Sequence, residues 1–496
     1  MMHQFNHATG SRKLFLLVLD STPITFLKEN ASALPNIGTL LRSAIQLETK
    51  SPADFFSAAP WPTFASGRMP GDLGHYHPLQ WDASRMRFIP IKDDALSFEP
   101  FWDALGRGGE KIVVFDGNAL PIAPDAQGLQ IVNWNAQCNF AARSNRPDVL
   151  RHVQRTFGHK PIGDEIAVWK SRRTLAKVRD RLIKSARLKT DAILWAMREF
   201  DWTCFITAYY EGHRAGHCLW PIWEDYSSDP PEDAMLDVFR EIDFQLGRIL
   251  SALDLSQTTF ILLSMHGMTP DRAQDHFLPE VIARINRLYC ARQNLPLPPT
   301  GVGGIARYLR QTVPPAVQMR VRELVGQRAQ DWLVDREWRG GKNWKATPAL
   351  PVPGSGDVGF VRLNILGRER DGFLQGGDAV SAYTEFLRKQ LLALRVKETG
   401  EHLIENFSFS RDEFPGRCAH VLPDVLLTWR PDRPATEIYS PELGTIKAVL
   451  KTGRGGSHTG DSFALIAGAT GSFGELTPLS HVRDYKTFVD QFFGHA

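Results

Sequence analysis

The chain has 496 residues, 43% of them hydrophobic and 23% charged, with a formal net charge of +3 at neutral pH. These values exclude a disordered or fibrous class, and so small a charge leaves no basic stripe for nucleic acid. Five cysteines without a C-x-x-C pair do not make a disulfide framework and fit a reducing compartment, so a cytoplasmic protein is expected.

This length predicts one elaborated α/β domain or two domains, and one domain with insertions is preferred. Nowhere do 18 apolar residues run together, so no membrane span is expected. The first apolar run, Leu14 to Leu19, is too short for a signal-peptide core and stops at Asp20.

That run is what a parallel strand buried on both faces requires, and Asp20-Ser-Thr-Pro breaks it. Asp20 therefore stands at a strand's carboxyl end, the edge where open α/β sheets bind ligands. It reads as a metal ligand or base, and equally as a helix N-cap. Pro35 starts a helix and Ile45 to Lys50 is a second strand. The stretch from Phe56 to Gly67 then places Ser57 at the first turn of a short helix, with Pro60 and Pro62 at positions that tolerate a missing N–H. Ser57 is there an N-cap, or else a hydroxyl whose alkoxide, or a bound phosphate or sulfate oxyanion, meets free backbone N–H groups.

Lys111 to Phe115 reads as a short buried strand, whereas 118 to 165 carry too many Asn, Pro and Gly to assign. Trp169 to Phe200 is helical and basic, a covering helix. Trp202 to Ala208 is a strand delivering Tyr209, Tyr210, His213, His217 and Trp220. The four-residue spacing puts His213 and His217 on one helical face, close enough to hold one metal ion, although a pair alone also arises by chance. Tyr209, Tyr210 and Trp220 read as pocket walls. A long helix from Pro231 carries a core stripe from Met235 to Leu253. Thr259 to Ser264 is a strand ending in Met265-His-Gly-Met, which brings His266 to the same kind of edge.

Residues 281–345 are basic and mostly helical, an insertion or a lid. Gly359 to Asn364 and Asp424 to Trp429 read as strands, and Tyr383 to Leu394 as a helix. Gly453 to Gly460 reads as a glycine-rich loop holding His458 before the strand Phe463 to Ala467.

Asp20, Ser57, His213, His217, His266 and His458 thus fall mostly at the strand ends of one sheet. In this order the chain resembles the alkaline phosphatase superfamily, in the branch of type I phosphodiesterases, nucleotide pyrophosphatases and predicted phosphohydrolases or phosphomutases. Leu17-Val-Leu-Asp20 resembles the first ligand strand, and Ser57-Ala-Ala with Ser66-Gly67 the nucleophile helix, a spacing that selects Ser57 over Thr63. His213-x-x-x-His217, Ser264-Met-His-Gly-Met268 and His458 resemble the remaining ligand motifs. Arg362 to Arg368 and Pro423-Asp-Val-Leu are also similar to this branch.

The resemblance implies a three-layer α/β/α sandwich with a mostly parallel central sheet, formed by 1–280 and 346–496, with 281–345 as a helical insertion. It implies a metal-dependent hydrolase of phosphate esters, of phosphodiester or nucleotide pyrophosphate type, acting through a covalent phosphoseryl intermediate on Ser57. His213, His217 and His458 would hold one zinc ion; Asp20, His266 and the Ser57 oxygen would hold a second. The family usually has aspartate at the positions of His213 and Met265, so one site changes a ligand and the other loses one. Either the second ion binds weakly, which is the favoured expectation, or another carboxylate, for example Glu211 or Asp271, replaces what is missing. The implied substrate is a small phosphorylated molecule, with neither nucleic acid nor membrane as partner. Alternatives on the same fold are a phosphonate hydrolase, a phosphomutase, a sulfatase or a divergent ligand-binding member without turnover. Sulfatase is disfavoured because Ser57-Ala-Ala-Pro-Trp lacks the Cys/Ser-x-Pro-x-Arg context of a formylglycine.

Overall fold

The computed structural model describes residues 13–91, 96–123, 125–136, 140–163, 172–220, 232–298, 343–354, 356, 358–448, 454–469 and 478–495. Its centre is an eight-stranded sheet in the order Ile45–Lys50, Asp461–Gly468, Thr258–Leu263, Lys13–Leu19, Cys204–Tyr209, Ile112–Gly117, Leu129–Val132, Arg143–Ser144. The five strands from Thr258–Leu263 to Leu129–Val132 are parallel, and Asp461–Gly468 runs antiparallel to both its neighbours. Leu14 to Leu19 are fully buried, which explains an apolar run without alternation: helices cover both faces. Phe15 stacks on Phe205 of the next strand at 4.9 Å.

Two groups of helices complete the α/β/α sandwich. Arg172–Glu199, Glu211–Leu219 and Ala234–Ala252 pack together, and Pro60–Ser66, Phe101–Arg107 and Tyr485–Phe493 form the other group. The expected start of the long helix at Pro231 lies outside the described residues. Among these residues no helix is long and apolar enough to cross a membrane.

Strands Val358–Leu363 and Val425–Trp429 do not join the central sheet. With Ala349–Val352 and Ile404–Phe409 they form a four-stranded antiparallel sheet. Helices Leu278–Arg292 and Asp378–Leu392 pack on it around Val281, Ile285, Val361, Tyr383, Leu387 and Leu427. Most of the expected insertion, 299–342, lies outside the described residues. The segment 118–165, unassigned from sequence, contains the strand Leu129–Val132 and the helix Pro147–Phe157.

Strand register aligns the candidate residues. Leu19 pairs with Tyr209, Val18 with Leu263, and Asp461 with Lys50, so the chain leaves the sheet at one edge towards Asp20, Glu211, Ser264 and Ser51 and arrives there from His458.

Candidate metal centre

Two turns at this edge are tied to each other. After Asp20, Ser21 adopts φ 54°, a left-handed conformation rare for a residue with a side chain, and turns the chain sharply. The Thr22 N–H then donates to Ser264 Oγ (3.1 Å), and Ser264 Oγ donates to the His266 carbonyl (2.6 Å). Asp20 and His266 are thereby set side by side.

Helix Glu211–Leu219 places His213 and His217 one turn apart, as their spacing predicts. His213 Nε2 lies 3.0 Å from His217 Nε2 and 2.9 Å from His458 Nε2. The other ring nitrogens are engaged: His213 Nδ1 is 2.6 Å from Asp20 Oδ2, and His217 Nδ1 is 2.8 Å from the Gly456 carbonyl oxygen. A carbonyl only accepts, so His217 carries its proton on Nδ1 and presents a bare Nε2; the Asp20 carboxylate selects the same tautomer in His213. Burial, with the Arg454 guanidinium and the neighbouring imidazoles adding to it, keeps His217 neutral far below the usual histidine range. Two bare nitrogens 3.0 Å apart repel, and a cation between them removes the repulsion. Three converging imidazoles are a donor set that zinc accepts with an open fourth position, so the residues present fit a metal ion.

A second grouping overlaps the first: one ligand-type atom each from Asp20, His213 and His266 lie within 4.8 Å of one another. The His266 ring stands edge-to-face to His458 at 4.8 Å and to His213 at 5.4 Å. Burial holds it down at about 3, against the opposing pull of Asp20. Burial likewise raises the Asp20 carboxyl above its ordinary value, opposed by His266 and by a hydrogen bond from Trp61. Trp61 Nε1 donates to Asp20 Oδ1 at 3.1 Å.

The structure thus brings together five of the six expected residues directly and alters the setting of the sixth. Ser57 is not in the first turn of a helix. Two prolines at the helix start make Pro60 the first residue of Pro60–Ser66, with Ala59 as its cap, so half-buried Ser57 sits in the preceding turn. That turn is held on three sides. Asp54 Oδ1 accepts from the Gly460 N–H (2.6 Å), Trp61 reaches Asp20, and buried His75 hydrogen-bonds the Ala58 backbone. None of Asp54, Trp61 or His75 stands out in the sequence; a carboxylate, an indole and an imidazole flanking a candidate nucleophile are the only signal there. Thr63, the rival hydroxyl, is fully buried and its Oγ1 has no partner among the described residues.

The expected glycine-rich loop is also different. Gly456–Thr459 is a strand antiparallel to Gly267–Pro270, with His458 opposite Met268. A Cβ on Gly456 would lie 2.7 Å from the Gly216 carbonyl oxygen, so glycine is what lets this strand approach the helix of His213 and His217. Met265 is fully buried in the main hydrophobic core and acts as packing. The two candidate replacement carboxylates fall in neither grouping of ligand-type atoms, and Glu211 Oε2 is buried without a hydrogen-bond partner among the described residues. Glu211 Oε1 accepts from Ser185 (2.6 Å) and Asn135 (3.0 Å), and Asp271 Oδ1 accepts from Ser457 (2.7 Å) and the Ala273 N–H. Half-buried Arg454 adds positive charge close to His217 and His77.

The model of the type I phosphodiesterase / nucleotide pyrophosphatase family matches residues 14–345, more than half of the chain. No curated protein matches by sequence. Among solved structures, phosphonoacetate hydrolase from Sinorhizobium meliloti 1021 is similar. Its complex with phosphonoformate superposes with a TM-score of 0.50 and its complex with phosphonoacetate with 0.51, each at 12% identity over 97% of this chain and 96% of that one. At that identity the likeness is one of fold.

Proposed function

The chain belongs to the type I phosphodiesterase / nucleotide pyrophosphatase family of the alkaline phosphatase superfamily, and on that premise we propose that it hydrolyses phosphate esters, of diester or nucleotide pyrophosphate type, with a divalent ion and Ser57 as nucleophile. The observation that carries this reading is the convergence of three imidazole Nε2 atoms, two of them without a proton to share. His213, His217 and His458 would hold the ion, and zinc suits them. When bound, it would supply Lewis acidity, lowering the pKa of a hydroxyl and polarising a phosphoryl oxygen.

The protein's own part is orientation and charge. Asp20 and the Gly456 carbonyl fix the His213 and His217 rings, and Asp20 is the one carboxylate among the grouped residues, so an anionic substrate meets little repulsion. Ser57 Oγ would bond to phosphorus while the bond to the leaving oxygen breaks, and the hydroxyl proton ends on solvent or on the leaving group. Water then cleaves the phosphoseryl ester, restoring the hydroxyl and releasing the phosphoryl product. Arg454 would offset the charge of the substrate near His217. The described cysteines are free and three of the four are buried, in keeping with a reducing, cytoplasmic setting.

The test is turnover of nitrophenyl phosphate, bis-nitrophenyl phosphate, phosphonoacetate and nitrophenyl sulfate by purified protein, with chelator and with metal restored. Metal-dependent ester turnover supports the reading. Turnover of phosphonoacetate alone moves the substrate to phosphonates, and metal binding with no turnover leaves a ligand-binding protein.

A further inference from the structure

We propose that this centre is built for a single divalent ion, and that Asp20 is not its ligand but a positioning residue that orients His213 and is itself held by Trp61. The proposal rests on the functional reading above and departs from the two-ion arrangement that family resemblance implies.

Both oxygens of Asp20 already face protons. Oδ2 is 2.6 Å from His213 Nδ1, and Oδ1 is 3.1 Å from Trp61 Nε1. An indole N–H can only donate, so Trp61 takes one of the two acceptor sites of Oδ1 and fixes the plane of the carboxylate. His213 presents its bare Nε2 to His217 and His458, which requires the proton on Nδ1, and a protonated nitrogen cannot ligate. Histidine at 213 thus ligates through one nitrogen and leans on Asp20 through the other. Carboxylate, histidine and metal in series is a recurrent way to fix a ligand ring and raise its basicity.

What is left for a second ion is too little. Removing His213 from the second grouping leaves Asp20 and His266, to which the expected Ser57 oxygen adds only a neutral hydroxyl, a poor third ligand until it is ionised. Met265, at a position where the resemblance implies aspartate, is fully buried in hydrophobic core. Glu211 and Asp271 fall in neither grouping of ligand-type atoms, and Glu211 Oε1 and Asp271 Oδ1 are turned to Ser185, Asn135, Ser457 and a backbone N–H. Charge argues the same way: two divalent ions would face one carboxylate, with Arg454 close by.

The experiment is elemental analysis of dialysed protein together with a cobalt(II) titration of apoprotein followed by visible absorption, for the wild type, Asp20→Asn and Trp61→Phe. One equivalent of metal per chain and a single break in the titration are expected in all three. Affinity should fall about 10- to 100-fold in Asp20→Asn, the usual effect of losing an outer-sphere partner, and less in Trp61→Phe. The cobalt band should keep its shape, because the coordinating atoms are unchanged. Two tightly held equivalents in the wild type overturn the proposal, as does a band in Asp20→Asn that shows a changed ligand set. If Asp20→Asn does not fold, the wild-type stoichiometry and Trp61→Phe decide. Two equivalents with ester turnover sink this inference and leave the functional reading standing; no bound metal sinks both.

Discussion

His213 and His217 face each other through bare Nε2 atoms 3.0 Å apart, each having already committed its Nδ1 proton, one to Asp20 and one to the Gly456 carbonyl. Such a pair is unfavourable in a buried site unless a cation joins it. Each of His213→Ala, His217→Ala and His458→Ala is therefore expected to lose the metal on dialysis. Added zinc should raise the melting temperature of the wild type and not of these variants, since a ligand stabilises only the folded state that binds it. Equal metal content in wild type and variants, measured by elemental analysis, counts against the triad.

Ser57→Ala is expected to abolish turnover with the fold intact, while Thr63→Val should retain it. Thr63 is fully buried and its hydroxyl has no partner among the described residues, so replacing it by a methyl group of the same shape should leave stability equal or higher. Near wild-type kcat in Ser57→Ala, or a trapped phosphoryl group on Thr63, reverses the assignment.

Gly456→Ala tests the close approach of strand to helix. The new Cβ would stand 2.7 Å from the Gly216 carbonyl oxygen and 2.6 Å from Met268 Sδ. The first obstacle is backbone and cannot rotate away, so the strand bearing His458 must shift from the helix bearing His213 and His217. Metal affinity should drop at least tenfold, together with a loss of stability of about 1–3 kcal/mol, as overpacking typically costs. Unchanged cobalt affinity in this variant is the contrary result.

His75 supplies a pH test. Burial lowers it from 6.5 to about 4 in the folded protein. As pH falls, the unfolded chain takes up this proton first. Stability is therefore full above 6.5, is lost between 6.5 and about 4, and falls no further below that on this account. The loss amounts to about 3 kcal/mol at most, at 1.36 kcal/mol per unit. In urea unfolding at several pH values, His75→Gln should show a shallower decline than the wild type across this window. Parallel curves would mean that His75 is solvated or already protonated in the fold.

Sequence alone determined the central strands of the sheet and the edge where the site lies, but neither the strand Leu129–Val132 nor the separate sheet of Val358–Leu363 and Val425–Trp429. A strand buried on both faces needs a nearly unbroken apolar run; Leu14–Leu19 and Phe260–Leu263 show one, and Cys204–Ala208 is broken only by Thr207. The polar residue after such a run marks the carboxyl end whatever the rest of the chain does. The pair His213 and His217 was legible for the same reason, because helical periodicity is local.

Tertiary structure alone decided how those residues are used. Which nitrogen of His213 faces Asp20, that Trp61 holds Asp20, that Asp54 clamps Gly460, and that 456–459 is a strand all depend on contacts between positions 41 to 406 residues apart. A turn before a proline and an N-cap turn look alike in sequence, which is why Ser57 lies one turn earlier than its pattern predicts. Local patterns carry burial and periodicity. The direction of a hydrogen bond, and with it the choice between metal ligand and positioning residue, depends on partners that only the folded chain brings within reach.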